Sequence, residues 1–356
     1  MTGPGPNAGF ESNYLGHTLQ VQAGTISRKR NYDRWARIQA KMNELRIVVS
    51  LITKDNDFQM EQAIAAEEAA RKLGIVLEVL YADGDSIQQS QQILKFVQSN
   101  ADERPDGIIL EPVGATALPQ VARAAAASGI AWVVLNRELA YINDLRANFS
   151  VPIFTVASDH LEIGRIQAKQ LATLLPNGGS VLYIQGPSES DAGKLRTHGL
   201  NQNKAPGIQL KMMKANWTEA GAYDAVTAWL RLSTSQQARI DVIAAQNDAM
   251  AAGAKKAFQQ FSSEGKGRDR WIEVPFIGVD GVPATGQAWV RNGMLTATVI
   301  APPLAGIALE MLARAIHTGT TPPEFTLIPP ESFPTLDSLV TKAKQMQLSK
   351  SAKSAV

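Results

Sequence analysis

From residue 46 onward, short runs rich in β-branched residues alternate with longer segments of helical periodicity, which constrains the fold more than any other feature. The run RIVVSLI (46–52) precedes a helical pattern at 57–74 that ends at a glycine, and further pairs follow it. The order βαβαβαβ is typical of a parallel sheet with helices on both faces. The alternation is interrupted at 137–152 and then resumes. The sequence therefore predicts an α/β protein with two parallel-sheet lobes of similar size.

The N-terminal segment lies outside this alternation. Residues 1–27 are rich in Gly, Pro, Asn, Ser and Thr without any period, which predicts disorder. Residues 28–45 place Tyr32, Trp35 and Ile38 on one helical face with arginines elsewhere, which predicts a basic amphipathic helix. Such a helix either lies on a membrane or partner surface or docks its apolar stripe on the following domain, and we favour docking.

The composition excludes several kinds of site. A chain of 356 residues is long enough for two cores, and a net charge of +2 does not indicate a polyanion-binding surface. The absence of cysteine excludes disulfides, thiolate metal sites and a cysteine nucleophile. No apolar run reaches the roughly 18 residues needed to span a bilayer. Residues 1–20 also lack the basic and apolar regions of a secretory signal.

Polar and aromatic side chains follow nearly every predicted strand. Ligands of open α/β sheets bind beyond the carboxyl ends of the strands. Those positions carry Asp55, Asn56, Phe58, Glu111, Asn136, Arg137, Glu138, Gln185, Arg196, Trp217, Gln246, Asn247, Asp248 and Asp280. Hydroxyl groups pair well with carboxylates, amides and guanidinium groups, and aromatic rings cover the C–H faces of sugars. The set favours a polyhydroxylated ligand, although helix capping or core packing also explains single members.

Signatures of catalysis are missing from the sequence. No G-x-G-x-x-G follows the first strand pattern, and neither G-x-x-x-x-G-K-[ST] nor G-x-S-x-G occurs. The four histidines, His17, His160, His198 and His317, show no metal-ligand spacing. We interpret His160 and His198, in the first turns of predicted helices, as surface residues. We therefore expect no cofactor, no metal site and no enzymatic activity.

Several longer segments resemble a known family in both order and spacing. They are DGIILEPVGATAL (106–118), WVVLNRE (132–138), AAQNDAMAAGAKKAFQ (244–259) and FIGVDGVPATGQAWVRNGMLTATV (276–299). The pattern resembles the type I periplasmic binding proteins, in particular the ribose- and galactose-binding branch. That branch shares its fold with the ligand-binding cores of lactose-repressor-type regulators. The resemblance runs from residue 46 to about residue 330.

This resemblance implies two Rossmann-like lobes, joined by a hinge of three crossing strands, that close on a sugar-like ligand. The N-terminal lobe would comprise residues 46–157 and 302–328. The C-terminal lobe would comprise residues 158–301 and 329–356, the latter including the C-terminal tail.

The resemblance also implies which residues hold the ligand. Carried over by position, they are Asn56, Phe58, Asn136, Arg137, Arg196, Trp217, Asn247 and Asp280. Asn136 stands where the family usually has an aspartate, whereas Arg137 and Arg196 match the two arginines of the family. The predicted pocket is therefore more positively charged than is usual in the family. We therefore expect a sugar, a cyclitol or a sugar acid as the ligand. Of two adjacent residues, we expect Asp248 to cap the following helix and Asn247 to hold the ligand.

Three functions are consistent with the predicted fold and the predicted site residues. The first is the substrate-binding component of a carbohydrate ABC transporter, a monomer that delivers its ligand to a membrane permease. The second is a DNA-free ligand-sensing protein that acts with a membrane sensor, and the third is a sugar-acting enzyme. Residues 1–45 contain one predicted helix and no helix-turn-helix pair, so we expect no nucleic-acid partner. We favour the first function and a periplasmic location, and since no signal peptide is visible, a cytoplasmic location stays open.

Overall fold

The computed structural model describes residues 45–114, 118–236, 238–263, 271 and 273–354. The predicted disordered segment at 1–27 and the basic helix predicted from residue 28, up to residue 44, lie outside the described residues.

Strands and helices alternate along most of the described chain. The strands are β1 Arg46–Leu51, β2 Val76–Tyr81, β3 Gly107–Leu110, β4 Ala131–Leu135, β5 Ile153–Ser158, β6 Gly179–Gln185, β7 Ile208–Lys214, β8 Val242–Ala245, β9 Phe276–Ile277, β10 Thr298–Ile300, β11 Phe325–Ile328 and β12 Glu331–Phe333. The helices are α1 Asp57–Leu73, α2 Ser86–Gln98, α3 Pro119–Ala127, α4 Tyr141–Asn148, α5 His160–Leu174, α6 Asp191–Asn203, α7 Glu219–Leu230, α8 Ser233–Gln236, α9 Asp248–Ser263, α10 Ala288–Arg291, α11 Leu304–Thr318 and α12 Leu336–Ser354. A short 3₁₀ turn at Ala101–Glu103 and a π-helical turn at Pro283–Gln287 complete the set.

The first lobe is built on a parallel sheet with the strand order β11-β5-β4-β3-β1-β2. Every residue of β3 and β4 is buried, as expected for a sheet covered on both faces. On one face Val49 and Phe154 pack with Leu309 of α11. On the other face Trp132 packs with Ile93 of α2, so each face has its own core.

The second lobe is built on a smaller parallel sheet with the strand order β7-β6-β8-β9. An isolated bridge between Asp280 and Ile300 ties β10 to the end of this sheet, and β10 also pairs with β12 in antiparallel fashion. Phe258 makes edge-to-face contacts with Trp271 and Phe276 in the core, at centroid distances of 5.6 and 6.1 Å. The prediction of an α/β fold with two parallel-sheet lobes is confirmed.

Within the described residues, the chain passes between the two sheets three times. It leaves the first sheet after Ser158 and enters α5, and it returns between β10 and α11. It leaves again between β11 and β12. Because β11 lies beside β5, with Ile328 opposite Ser158, two of these crossings start at the same edge of the first sheet.

Two glycines let helices α5 and α6 approach closely. A Cβ atom at Gly164 would lie 2.1 Å from the carbonyl oxygen of Arg196, and one at Gly199 would lie 2.1 Å from that of Leu161. Neither distance is compatible with a side chain at the glycine. The pair therefore fixes α6, which carries Arg196, directly against α5.

Two helices lie outside the predicted alternation of strands and helices. The segment 137–152, where that alternation is interrupted, contains the short helix α4, which is anchored by buried Ile142 and Leu145. The C-terminal tail forms a helix as far as Ser354. Across the described ranges, no helix is both long and apolar enough to cross a bilayer.

The start of α11 is capped by a residue from another helix. Pro303 occupies the N-cap position of α11 and makes no side-chain cap hydrogen bond. The buried side chain of Gln62 on α1 accepts hydrogen bonds from the backbone N–H groups of Leu304, at 2.6 Å, and Ala305, at 2.8 Å. These are two of the donors that a helix leaves without partners in its first turn. Gln62 thereby joins α1 to the second crossing.

We expect Gln62→Ala to lower the free energy of unfolding by about 2 kcal/mol, because it leaves buried donors without an acceptor. Urea unfolding of the purified protein measures this loss. Gln91→Ala, on the exposed surface of α2, is the matched control and should change the stability by less than about 0.5 kcal/mol. Equal stability of the two variants would contradict the capping role.

Candidate functional site

A cleft of 380 Å³ lies where the carboxyl ends of the two parallel sheets face each other. Its volume falls within the range of about 300–1,000 Å³ that is usual for small-molecule sites. The structure brings all of the sequence-predicted site residues to this cleft, namely Asn56, Phe58, Asn136, Arg137, Arg196, Trp217, Asn247 and Asp280. Glu111, which the sequence analysis named only among the strand-end residues, and His160, which it interpreted as a surface residue, line the cleft as well.

A buried carboxylate forms the floor of the cleft in the first lobe. Glu111 follows β3, and its Oε2 accepts hydrogen bonds from Gln59 Nε2 at 2.9 Å and Gln62 Nε2 at 3.4 Å. Its Oε1 accepts one from Asn136 Nδ2 at 2.9 Å. Burial raises the pKa of Glu111, while the hydrogen bonds from Asn136 and Gln59 and the charge of Arg137 oppose that rise. The sequence signal was a glutamate placed directly after a buried strand.

Asn136 connects this carboxylate to the first crossing between the lobes. Its backbone adopts a left-handed conformation with φ of 60°, which asparagine tolerates better than most residues. Its Oδ1 accepts a hydrogen bond from the backbone N–H of Ser158 at 3.3 Å, while its Nδ2 donates to Glu111. The neighbouring Arg137 donates from Nη1 to the carbonyl oxygen of Gly114 at 2.6 Å. Both residues are therefore held in place by the first lobe.

The start of α1 supplies a cap and an aromatic ring. Asn56 Oδ1 accepts hydrogen bonds from the backbone N–H groups of Phe58, at 2.9 Å, and Gln59, at 3.2 Å, and thus caps the helix. The ring of Phe58 packs against a buried cluster that includes Val279 and Val299. Phe58 therefore belongs to the first lobe by sequence and contacts the second lobe.

Arg196 is the buried cation of the second lobe. Its Nη1 donates to the carbonyl oxygen of Gln246, and its Nη2 lies 3.9 Å from Asp280 Oδ1. Its guanidinium carbon lies 5.7 Å from the centroid of the Trp217 ring, a distance suited to a cation–π contact. A Cβ atom at Gly186 would lie 2.2 Å from that ring, so the glycine makes room for the tryptophan.

Asp280 sits in a strained and electrostatically unusual position. Its φ of 103° is rare for a residue with a side chain. Burial raises its pKa to about 7 from an ordinary 3.8, with further contributions from the charges of Glu111 and Asp57, while Arg196 opposes the rise. This carboxylate is thus poised to change charge near neutral pH.

The predicted cap role of Asp248 is wrong, because Asn247 takes that role, and the ligand contact predicted for Asn247 stays a prediction. Asn247, predicted as the ligand-holding amide, caps α9, since its Oδ1 accepts a hydrogen bond from the backbone N–H of Met250 at 2.8 Å. Asp248, predicted as the cap, is the first residue of α9 and is buried. Its carboxylate accepts hydrogen bonds from Gly281 N at 2.8 Å and Thr298 Oγ1 at 2.7 Å. Asp248 therefore fixes the loop that carries Asp280, whereas Asn247 lines the cleft and caps the helix at once.

The prediction that His160 lies on the surface is wrong. His160 is the first residue of α5, is 6% exposed and lines the cleft. His198 on α6 is exposed as predicted. The helical pattern did not reveal this burial, because it depends on the tertiary structure around the cleft that His160 lines. Among the residues that the structure describes, no three His, Cys, Asp or Glu side chains form a group that could hold a metal ion.

The raised pKa of Asp280 predicts a pH-dependent stability of the unliganded protein. The folded protein retains a proton here that the unfolded chain releases above an ordinary pKa of 3.8. The contribution of this group to the free energy of unfolding is thus fully present below about pH 4 and is lost as the pH rises through about 7. Over that range the free energy of unfolding falls by at most about 1.4 kcal/mol per pH unit. We expect the wild type to lose stability relative to Asp280→Asn between pH 5 and 7.

Denaturant unfolding at several pH values measures this difference. Asp102→Asn, at an exposed carboxylate, is the control and should follow the pH dependence of the wild type. If the stability difference between the wild type and Asp280→Asn is constant from pH 5 to 7, the buried carboxylate does not titrate as stated.

Comparison with known proteins shows which family the chain resembles. The chain matches the family described as "Periplasmic binding protein domain" over residues 47–321. The putative rhizopine-binding protein of Rhizobium meliloti is 28% identical over 248 residues, which are 68% of this chain and 74% of that protein. The D-allose-binding periplasmic protein of Escherichia coli (strain K12) is 26% identical over 291 residues, 79% of this chain and 89% of that protein.

A solved structure shows the same fold. The periplasmic solute-binding protein of an ABC transporter from Actinobacillus succinogenes, with bound D-allose, aligns with a TM-score of 0.68 at 24% identity. The alignment covers 81% of this chain and 97% of that one. Since the family match extends over most of its length, the chain belongs to the periplasmic binding protein family.

Proposed function

We propose that this protein binds a polyhydroxylated small molecule, such as a sugar or a cyclitol, between its two lobes. The observation that carries the proposal is a cleft lined from both lobes by fixed donors, acceptors and aromatic rings. Glu111 and Asp280 offer carboxylates that accept hydrogen bonds from hydroxyl groups, and Arg137 offers a donor. Phe58 and Trp217 offer ring faces for the C–H surface of the ligand.

Ligand binding would stabilise the closed arrangement of the lobes. A molecule held by Arg137 from one side and Asp280 from the other contacts both lobes at once. It therefore binds the closed state more tightly than an open one and shifts the population towards closure. We assign residues 46–157 and 302–328 to one lobe and residues 158–301 and 329–356 to the other, because the three crossings separate these segments.

The relatives support a role in transport. Two of them are named as binding proteins for a rhizopine and for D-allose, the second of them periplasmic. By analogy, we infer that this protein binds its ligand without transforming it. We also infer that it acts in the periplasm and presents its closed form to the permease of an ABC transporter.

A thermal-shift screen tests the binding function. The panel contains D-allose, D-ribose, xylitol, myo-inositol and D-glucuronate, which sample neutral sugars, polyols, a cyclitol and a sugar acid. A ligand at a hundred times its dissociation constant stabilises the folded protein by about 2.7 kcal/mol, which gives a clear shift of the melting temperature. The absence of a shift with every member would contradict the proposal.

For the strongest binder, we expect Arg137→Ala and Asp280→Ala each to weaken binding by about 1.5–3 kcal/mol, because each removes a charged hydrogen-bonding group. Titration calorimetry measures the affinities, and unfolding of the unliganded variants checks that they fold. Arg71→Ala and Asp102→Ala, at exposed positions outside the cleft, are the matched controls. Wild-type affinity in both cleft variants would show that the site assignment is wrong.

A further inference from the structure

His160 is a buried polar residue of the cleft that lacks hydrogen-bond partners. It is 6% exposed, and it begins α5 immediately after the first crossing between the lobes. Neither Nδ1 nor Nε2 has a hydrogen-bond partner among the described residues. Buried side-chain nitrogens are nearly always paired, so two unpaired atoms on one ring call for a partner beyond the described residues, such as a molecule in the cleft that His160 lines.

A second cleft-lining residue close to His160 also has a buried atom without a hydrogen-bond partner. It is Arg196, whose Nε has no partner in the described structure. A neutral imidazole carries one N–H donor and one acceptor nitrogen, whereas a hydroxyl group both donates and accepts. The imidazole and the Arg196 Nε–H group therefore offer two donors and one acceptor, which suit hydroxyl groups.

The His160 ring itself carries no positive charge that would attract an anion. Burial and the nearby charge of Arg196 lower the pKa of His160 to about 3, so the ring is neutral at physiological pH. Arg196 Nη1 donates to the carbonyl oxygen of Gln246, and Arg137 Nη1 donates to that of Gly114, so each guanidinium already has one acceptor within the protein. The cleft also contains the carboxyl groups of Glu111 and Asp280.

We propose that His160 is a ligand-contacting residue, which donates a hydrogen bond from one ring nitrogen and accepts one at the other from hydroxyl groups of an uncharged polyol. This inference rests on the proposed function and narrows its ligand class to the uncharged sugars and cyclitols among the ligands that the sequence allowed. In the unliganded protein the unpaired ring nitrogens are a cost, which the ligand removes on binding.

Titration calorimetry on three histidine variants tests the role of His160. The probes are D-allose, D-ribose, xylitol and myo-inositol, which are uncharged, and D-glucuronate as the acid. His160→Leu removes both ring nitrogens, and His160→Gln keeps a donor and an acceptor. His198→Leu, at the exposed histidine of α6, is the matched control.

We expect an uncharged probe to bind the wild type at least about tenfold more tightly than D-glucuronate. His160→Leu should weaken that binding at least about tenfold, while the unliganded variant melts no lower than the wild type, because an apolar group replaces unpaired polar atoms. His160→Gln should bind within about threefold of the wild type, and His198→Leu should bind unchanged.

Other outcomes overturn the inference. Wild-type affinity in His160→Leu, or tighter binding of D-glucuronate than of every neutral probe, contradicts it and leaves the proposed function standing. If His160→Leu also destabilises the unliganded protein and His160→Gln restores no affinity, the residue has only a structural role. If no probe binds at all, the proposed function fails, and the inference that rests on it fails too.

Discussion

The arrangement of the first lobe depends on one buried carboxylate. Glu111 accepts hydrogen bonds from α1 through Gln59 and Gln62 and from the end of β4 through Asn136. Gln62 also caps α11 after the second crossing, and Asn136 also holds Ser158 at the first. A buried charge is tolerated only when it is well paired, so this network fixes the elements around it in one geometry. The floor of the cleft and two crossings between the lobes are therefore parts of one hydrogen-bonded unit.

In the second lobe, too, buried hydrogen-bonded side chains hold the cleft residues in place. Gln246, fully buried after β8, accepts a hydrogen bond from Gly186 N. The two N–H groups of its Nε2 lie within hydrogen-bonding distance of Tyr183 Oη, the Gly193 carbonyl oxygen and Thr197 Oγ1, which fixes the start of α6. Asp248 fixes the loop of Asp280. Arg196 and Asp280 thus face the cleft from a helix and a loop that are held in place by buried hydrogen bonds, which restricts the conformations of both side chains. Such preorganisation reduces the entropy that ligand binding has to offset.

The fold and the location of the site follow from the sequence because each rests on a periodic or positional signal. Alternating strand and helix patterns predict parallel sheets, and the rule on strand ends brings Arg137 and Asp280 to one cleft. The division of roles between Asn247 and Asp248 could not be predicted, since both residue types cap helices and only the backbone geometry selects one. The burial of His160 was missed for a related reason, because it depends on how the two lobes enclose the cleft and not on the position of His160 in its helix.

Closure of the two lobes on a polyol is the central claim, and the distance between the lobes tests it most directly. The chain contains no cysteine, so Ile87→Cys in the first lobe and Lys194→Cys in the second provide unique sites for spin labels at exposed positions. Pulsed electron paramagnetic resonance measures the distance between the labels with and without the strongest neutral binder of the screen. We predict a shorter mean distance and a narrower distribution when that probe is bound. An unchanged distribution at saturating probe would contradict closure.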